Sequence, residues 1–183
     1  MKLTPSGSQT VGPFFRIGLE HLYAPGTKPD ENSETITVYG KVFDGDGSPV
    51  PDAVLEFWHA NADGTFHGEP GESGRPVCFT RAATDQDGTY RFAIAMPGAA
   101  VCDSEVRQAP HLAVLVFARG LMRHLITRVY FPDEAANASD TLLHMVPAER
   151  RHTLIARADG HNARTLEWNV VLQGPDETVF FAW

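Results

Sequence analysis

The chain has 183 residues, of which 43% are hydrophobic and 21% are charged, a composition typical of one folded domain and not of a disordered chain. Its formal net charge of −8 makes nucleic acid and anionic membranes poor partners. No stretch approaches the roughly 20 apolar residues of a membrane helix, and the N-terminus lacks the apolar core of a secretory signal, so we expect a cytoplasmic protein.

Residues 1–35 are rich in proline, glycine and polar side chains, and their one apolar island is QTVGPFF, at residues 9–15. This composition predicts an extended arm with loops, and we expect residues 36–183 to form the folded domain. Within the island, glycine permits a close approach of the backbone and proline fixes the chain locally. Gly12 and Pro13 therefore suggest a backbone held against another chain or a ligand.

From residue 36 onward, short stretches rich in β-branched and aromatic residues recur between turn signals made of glycine, proline and aspartate. Such stretches predict β-strands, joined by a turn at Asp87-Gly88 and by a hairpin around Arg119–Arg123. The predicted strands cover residues 36–43, 53–60, 89–96, 111–118, 125–131, 166–174 and 178–183.

One helix is predicted, over residues 147–158. Pro147 suits the first turn of a helix, where its missing N–H costs nothing. Leu154, Ile155 and Ala158 give only a narrow apolar stripe. One short helix among seven or more short strands predicts an all-β fold, an antiparallel β-sandwich with an extended N-terminal arm.

Histidine spacing gives little support for a metal site carried by this chain alone. None of the eight histidines forms an HxH or HExxH motif. His59 and His67 flank a turn-like segment and could meet in space, which leaves open a site that combines them with His111. The simpler interpretation is that the first two are surface or loop residues and that His111 bonds to the backbone. Cys78 and Cys102 are expected as buried or idle thiols.

Arg128 lies inside the apolar strand predicted over residues 125–131. A buried arginine must be paired or face a polar cavity, whereas an arginine on the solvent side of an alternating strand needs no partner. The residues alone leave both interpretations open.

Six stretches occur in an order that resembles one known family: TPSGSQTVGPFF, ITVYGKVFDGDGSPVPDAVLEFWHANADGTF, TDQDGTYRF, APHLAVLVFARG, TRVYFPDEA and LQGPDETVFFAW. They resemble the intradiol ring-cleaving dioxygenases, and in particular the alpha type of chain in members built from alpha and beta chains. The resemblance runs from about Thr4 to Trp183, nearly the whole sequence. The arm motif SQTVGPFF, the pair FARG and TRVYF, and the ending GPDETVFFAW are typical of the alpha type.

The resemblance implies a β-sandwich enzyme subunit whose non-haem ferric iron, Fe(III), is held by the beta chain through two tyrosines and two histidines. The implied substrate is the aromatic acid 3,4-dihydroxybenzoate, which dioxygen opens between its two hydroxylated carbons to give 3-carboxy-cis,cis-muconate. The implied partner is the beta chain, in a hetero-oligomer of alpha–beta units that is active only when both chains are present.

Compared with the family's ligand pattern, this chain retains one of the four iron ligands. The tyrosine positions are Phe66 and Ala100, the first histidine position is His111, and the second is Ala113. Methyl groups and a phenyl ring cannot coordinate iron, so the resemblance implies that this chain binds no metal and has no catalytic residue by itself. Trp58 matches a tryptophan of both chain types and is expected in the core.

The resemblance also implies that the alpha chain contributes to the substrate pocket of its partner. Its N-terminal arm crosses toward the iron site of the beta chain, which assigns substrate binding to Thr10, Gly12 and Pro13. An arginine of the alpha chain also reaches the pocket and corresponds to Arg128, where a cation would hold the substrate carboxylate or balance local charge. Relatives often have a tyrosine after the Gly-Pro pair, whereas this chain has Phe14, which lacks the hydroxyl.

A second interpretation belongs to another class of function. A metal-free β-sandwich could keep the fold, lose the chemistry, and bind an aromatic molecule or serve as a scaffold. A beta-type chain encoded beside this one, with both tyrosines and both histidines, would favour the enzyme subunit, and its absence would favour the binding module.

Overall fold

The computed structural model describes residues 6–23, 34–66, 78–101, 107–160 and 162–182. Within these ranges the chain is mostly β-strand, with a few short helical segments. The strands form two sheets that pack face to face and one additional two-stranded ribbon. The predicted β-sandwich is confirmed.

The strands of the described ranges are β1 Thr35–Phe43, β2 Val54–His59, β3 Phe79–Ala83, β4 Thr89–Ala95, β5 Ala100–Val101, β6 Arg107–Gln108, β7 His111–Phe117, β8 Leu125–Tyr130, β9 Arg157–Asp159, β10 Asn162–Glu167 and β11 Val170–Val171. The α-helices are α1 Pro13–Gly18 and α2 Thr141–Met145, and 3-10 helices cover Glu20–Leu22, Ala135–Ser139 and Ala148–Leu154. None of these described helices is long and apolar enough to span a membrane.

The first sheet is mixed. β1 pairs antiparallel with β4 and parallel with both β10 and β11, and β9 adds antiparallel to β10. The parallel pairs differ from the purely antiparallel sandwich expected from the sequence. They arise because the chain reaches β10 and β11 through a long crossover, which includes the second sheet and the helices, and not through a hairpin.

The second sheet has the order β3-β2-β7-β8, and each neighbouring pair is antiparallel. The hairpin predicted between β7 and β8 is confirmed. Along β7, Leu112, Val114 and Val116 are fully buried against the first sheet, whereas Ala113 and Leu115 are half-buried on the opposite side. We call this opposite side of the second sheet the outer face.

The main core lies between the two sheets. Phe57 of the second sheet contacts Tyr90 and Phe92 of the first, with ring centroids 5.8 and 4.2 Å apart. A smaller apolar cluster covers the end of β8 on the outer face, beneath α2 and the last 3-10 helix. Its buried members are Ala109, Tyr130, Leu143, Val146 and Leu154.

Trp58 is on the outer face and not in the core, so the prediction made for it is wrong. Phe57 and Trp58 are adjacent in β2, and successive side chains of a strand point to opposite faces, so only one of them can enter the core. Phe57 is fully buried, while the Trp58 side chain is 46% exposed and its ring centroid lies 4.5 Å from that of Phe79.

Helix α1 occupies a segment that the sequence predicts as arm and loops. Pro13 is its first residue, a position where the fixed φ of proline suits a helix. A proline precedes or begins both segments, at Pro147 and Pro13, but the apolar run after Pro13 is too short to show helical periodicity.

The helix predicted over residues 147–158 is shorter and of a different type. A 3-10 helix ends at Leu154, and Ile155 is already extended. The chain then runs beside β8, because the Ala156 N–H donates to the Tyr130 carbonyl at 3.0 Å, so the last predicted turn cannot form.

The prediction of a strand over residues 178–183 is also wrong, because the described part of this segment, residues 178–182, forms no continuous strand. The tail makes one isolated bridge to β8, at Phe181, and Thr127 Oγ1 donates to the Val179 carbonyl at 2.7 Å. The tail is therefore held by separate backbone and side-chain hydrogen bonds and not by a continuous ladder. Trp183 lies outside the described residues.

Cys78 is buried, as expected, and its thiol donates to Asn61 Oδ1 at 3.3 Å. Cys102 lies outside the described residues, so its state stays a prediction.

Candidate functional site

The first part of β7 carries His111, the one residue that matches the family's ligand pattern, near an arginine of β8. Ala113 lies opposite Arg128 of β8 and opposite Trp58 of β2, while His111 lies opposite Tyr130. Residues directly opposite in antiparallel strands share a face, with Cβ atoms about 5 Å apart. We call this group, His111, Ala113, Arg128, Tyr130 and Trp58, the outer-face site.

His111 is a neutral imidazole fixed by a backbone bond. Its Nδ1 lies 2.7 Å from the Ala109 carbonyl oxygen, so Nδ1 carries the hydrogen and Nε2 is the only other ring nitrogen. Burial, with a smaller contribution from the charge of Arg128, lowers the pKa of His111 from 6.5 to about 4. The prediction that His111 bonds to the backbone is confirmed.

The other three positions that the resemblance assigns to iron ligands have no side-chain atom that could hold a metal. Ala100 and Ala113 have methyl side chains, and the Phe66 ring is 58% exposed. One imidazole alone does not hold iron, so these residues do not fit the ferric ion that the resemblance implies for the family. Within the described ranges, no group of three histidine, cysteine, aspartate or glutamate residues is arranged to bind a metal.

His59 and His111 cannot share a metal, which removes the three-histidine alternative. His59 lies opposite Leu112 and points into the core with 3% of its surface exposed, whereas His111 is on the outer face. The His59 ring bonds to the Ala60 carbonyl at 2.8 Å, and burial lowers its pKa. His67 lies outside the described residues.

Arg128 is half-buried, and no ion pair within the described ranges neutralises its charge. Its Nη1 is buried and has no hydrogen-bond partner among the described residues. The guanidinium is close enough to His111 to disfavour a proton there. The sequence left two interpretations of Arg128 open, a paired buried arginine and an exposed one, and the half-buried Arg128 fits neither of them.

Tyr130 and Asp140 belong to the same site and were not found from the sequence. Asp140 is buried and accepts three hydrogen bonds, from the Tyr130 hydroxyl at 3.0 Å, the Leu143 N–H at 2.8 Å and the Ala109 N–H at 2.9 Å. The bond from Leu143 makes Asp140 the N-cap of α2. An aspartate directly before the run TLLHM is the signal that could have located it.

The arm residues predicted to bind substrate lie at the hairpin end of the outer face. Thr10 Oγ1 accepts a hydrogen bond from the Gly120 N–H at 2.7 Å, in the turn between β7 and β8. The Phe15 ring packs on a phenylalanine of β7, with centroids 5.2 Å apart. Gly12 and Pro13, where α1 begins, are exposed.

Within this chain, the arm residues and Arg128 do not form one pocket. Arg128 is three residues beyond the first residue of β8, roughly 10 Å along the strand from the hairpin. A cavity of about 650 Å³ lies between the arm, the hairpin and residues 180–182, but none of the four predicted substrate-binding residues lines it.

Known proteins similar to this chain identify its family. The family model described as Dioxygenase matches residues 12–174. The chain is 41% identical to the protocatechuate 3,4-dioxygenase alpha chain of Burkholderia cepacia, with 99% of this chain and 98% of that one covered. It is 37% identical to the alpha chain of Pseudomonas putida, with 98% and 96% covered. The chain belongs to the intradiol dioxygenase family.

The beta chain of the Burkholderia cepacia enzyme is also similar, at 31% identity, with 94% of this chain and 77% of that one covered. Among solved structures, catechol 1,2-dioxygenase from Pseudomonas arvilla C-1 matches with a TM-score of 0.63 at 23% identity, covering 82% of this chain and 56% of that one. The dioxygenase domain of a Streptomyces fusion protein matches with a TM-score of 0.61 at 22% identity, covering 82% and 90%. At these identities the structural matches establish the fold alone.

Proposed function

We propose that this chain is the alpha subunit of a protocatechuate 3,4-dioxygenase and acts with a beta chain in the cytoplasm. Together the two chains cleave 3,4-dihydroxybenzoate with dioxygen, between the hydroxylated ring carbons, to 3-carboxy-cis,cis-muconate. The observation that carries the proposal is the similarity to two alpha chains over nearly the full length of this chain and of theirs.

In this proposal the iron belongs to the beta chain. Phe66, Ala100 and Ala113 have no donor atom, and His111 uses one ring nitrogen for a backbone bond. The similarity of this chain to a beta chain fits two copies of one fold that have diverged, of which one kept the metal. No step of the reaction is assigned to a metal on this chain.

The contribution of this chain is to bind and orient the substrate. The exposed backbone at Gly12 and Pro13 and the nearby Thr10 line the pocket of the partner. Arg128 supplies a positive charge for the substrate carboxylate, since a charge-assisted hydrogen bond is stronger than a neutral one. Phe14 adds no hydroxyl, so the polar contacts of the arm come from its backbone and from Thr10.

Co-expression of this chain with a beta-type chain tests the proposal. We expect a complex with equal numbers of the two chains, about one iron per pair and ring cleavage of 3,4-dihydroxybenzoate, whereas this chain alone has neither iron nor activity. A chain that elutes alone, free of metal and inactive, in the presence of the beta chain would support the metal-free binding module. Iron bound to this chain alone would overturn the assignment of the metal to the partner.

Arg128→Ala tests the role of the cation. We expect a KM for 3,4-dihydroxybenzoate that is roughly tenfold or more higher, with unchanged iron content, because a charged contact to the carboxylate is lost. Arg157→Ala is the matched control, since Arg157 is an exposed arginine of β9 in the other sheet. Loss of iron from the Arg128 variant would show that this residue is structural and not part of the substrate pocket.

A further inference from the structure

A buried aspartate joins three elements next to the outer-face site. Asp140 Oδ2 accepts from the Ala109 N–H just before β7, and its Oδ1 accepts from the Leu143 N–H in α2 and from the Tyr130 hydroxyl in β8. Asp140 has 1% of its surface exposed. Since both carboxylate oxygens are bonded to backbone N–H groups, the carboxylate cannot move without breaking the cap of α2.

Tyr130 connects this fixed carboxylate to Arg128. Both residues are on β8, two positions apart, and therefore on the same face of the sheet. The Tyr130 hydroxyl gives its hydrogen to Asp140, so toward a guanidinium it can only accept. Burial raises the pKa of Tyr130, and the neighbouring charge of Arg128 acts in the opposite direction, as expected for an N–H donor facing the hydroxyl oxygen.

Arg128 needs such support because it has few other restraints. Its Nη1 is buried without a partner, and no described carboxylate forms an ion pair with it. An arginine side chain has many rotamers, and ordering it at the moment of substrate binding weakens that binding. A hydroxyl oriented by Asp140 would order Arg128 before the substrate arrives, and bonded dipoles in a dry site reinforce one another.

We infer that Tyr130 and Asp140 are positioning residues that hold the Arg128 guanidinium, so that its remaining N–H groups face the carboxylate of an aromatic acid. The inference rests on the proposed function, because the carboxylate belongs to the substrate assigned there. Neither residue touches the substrate. Their substitution should therefore weaken the binding only of ligands that carry the carboxylate. A general structural role would weaken the binding of all ligands alike.

Tyr130→Phe in the assembled alpha–beta enzyme tests the inference. Two ligands are compared, 3,4-dihydroxybenzoate through its KM and 4-methylcatechol, which has a methyl group in place of the carboxylate, through its inhibition constant. We expect Tyr130→Phe to raise the KM roughly fivefold to tenfold and to change the inhibition constant less than twofold, with full iron content.

Tyr90→Phe is the matched control. The Tyr90 hydroxyl is also buried and donates one hydrogen bond, to the Trp168 carbonyl at 2.6 Å, but it lies on β4 in the other sheet. This variant should lower the melting temperature and leave both binding constants unchanged. If it changes the KM as much as Tyr130→Phe does, the effect of Tyr130 is one of general stability and the inference is wrong.

Arg128→Ala distinguishes failure of the inference from failure of the proposed function. If Arg128→Ala raises the KM and Tyr130→Phe does not, Arg128 binds the carboxylate without this support, and the inference alone fails. If Arg128→Ala has no effect, the proposed role of Arg128 fails. The double variant should be no worse than Arg128→Ala, because Tyr130 acts through Arg128, and additive losses would contradict the inference.

Asp140→Asn is the second variant, and it keeps the inference testable if Tyr130→Phe does not assemble. The amide oxygen can keep the bonds from Leu143 and Tyr130, whereas the amide NH2 cannot accept the Ala109 N–H, and the negative charge behind the Tyr130 hydroxyl is removed. We expect the same selective rise in the KM for 3,4-dihydroxybenzoate, of roughly threefold or more. An equal loss of affinity for 4-methylcatechol would count against positioning.

Discussion

Burial and the nearby charge of Arg128 keep His111 neutral. Its ring is nine-tenths buried, and both effects disfavour a proton on it. The bond from Nδ1 to the Ala109 carbonyl and the charge of Asp140 act in the opposite direction but more weakly, so the pKa of His111 falls to about 4. Because an unfolded chain has the ordinary histidine pKa of 6.5, protonation of this residue is linked to unfolding.

We expect the stability of the assembled protein to decrease as the pH falls from about 6.5 to 4, because the unfolded chain binds a proton that the folded chain excludes. The difference between these two pKa values corresponds to about 3 kcal/mol at the acid end of this window. His111→Asn can still donate to the Ala109 carbonyl but does not titrate. Thermal melts of the complex across this window should therefore show the wild type losing more stability than the variant.

His152→Asn is the control for replacing a histidine that is not buried. His152 is exposed and makes the same kind of bond, from its ring to the Glu149 carbonyl at 2.8 Å. A difference between wild type and His111→Asn that stays constant with pH would show that burial does not hold His111 neutral.

The sequence could predict which chemical groups the site contains, but not how their side chains are oriented or bonded. A methyl group at Ala113 lacks a donor atom wherever it lies, so the sequence alone shows that this residue cannot coordinate a metal. The direction of Trp58 could not be predicted, because two adjacent aromatic residues compete for one core position. The bond between Tyr130 and Asp140 depends on where α2 begins, and the sequence analysis did not locate that helix.

The strand β1 keeps its hydrogen bonds across a break between β10 and β11. Trp168 and Asn169 lie in the break. The Trp168 N–H donates to the Tyr39 carbonyl at 2.9 Å, and Asn169 Oδ1 accepts from the Lys41 N–H at 2.8 Å. The asparagine side chain thus takes the place of a backbone carbonyl, and the Trp168 carbonyl turns toward the chain at Gly40.

Gly40→Ala should destabilise the first sheet. A Cβ atom at Gly40 would lie 1.7 Å from the Trp168 carbonyl oxygen and 3.0 Å from the Tyr90 hydroxyl, which donates to that carbonyl. Because backbone and not a flexible side chain occupies the space, the break must shift. We expect a loss of about 2–4 kcal/mol in the free energy of unfolding, measured by denaturant titration of the complex.

Gly160→Ala is the control for replacing a glycine. An added Cβ at Gly160 has no neighbour within 4 Å. Its effect on stability should stay within about 1 kcal/mol in either direction. If both variants lose the same free energy of unfolding, the close contact with the Trp168 carbonyl is not the reason that position 40 needs glycine.

Local alternation predicts several strands well. β1, β2, β4, β7 and β8 are predicted to within one residue at each end, because hydrophobic alternation and the flanking turns are both encoded locally. The region predicted as one strand over residues 166–174 contains the break described above. Neither this break nor the parallel pairing of β1 could be predicted, because both depend on which distant strands meet.

At the scale of the whole molecule, the arm carries three exposed apolar side chains. Phe14, Ile17 and Leu22 are 81%, 54% and 46% exposed, on α1 and the 3-10 helix that follows. They adjoin Gly12 and Pro13, the backbone proposed to line the partner's pocket. An exposed apolar group at this place is typical of a surface that another chain covers.

Phe14→Asp should therefore weaken assembly without affecting folding. The side chain contacts mostly solvent in this chain, but burial of a phenylalanine by the beta chain would contribute about 1.5–3 kcal/mol. We expect the dissociation constant of the alpha–beta complex to rise roughly tenfold or more, measured by native mass spectrometry on dilution.

Met145→Asp provides the comparison, since Met145 is 79% exposed at the end of α2 and lies outside the arm. It should leave the dissociation constant nearly unchanged. If the two aspartate variants weaken the complex equally, or if neither does, the arm is not the surface that the beta chain covers.

The position of Arg128 opposite Ala113 has a consequence for the history of this chain. Histidine at position 113 and tyrosines at positions 66 and 100 would restore the donor atoms that the resemblance assigns to these positions, but Arg128 would lie directly across the strands from the new histidine, with their Cβ atoms about 5 Å apart. The positive charge of Arg128 would repel a metal cation bound nearby. In the proposed enzyme, a loss of Arg128 that relieves this repulsion would also remove the proposed contact to the substrate carboxylate. Restoring a metal site on this chain and keeping that contact are therefore incompatible.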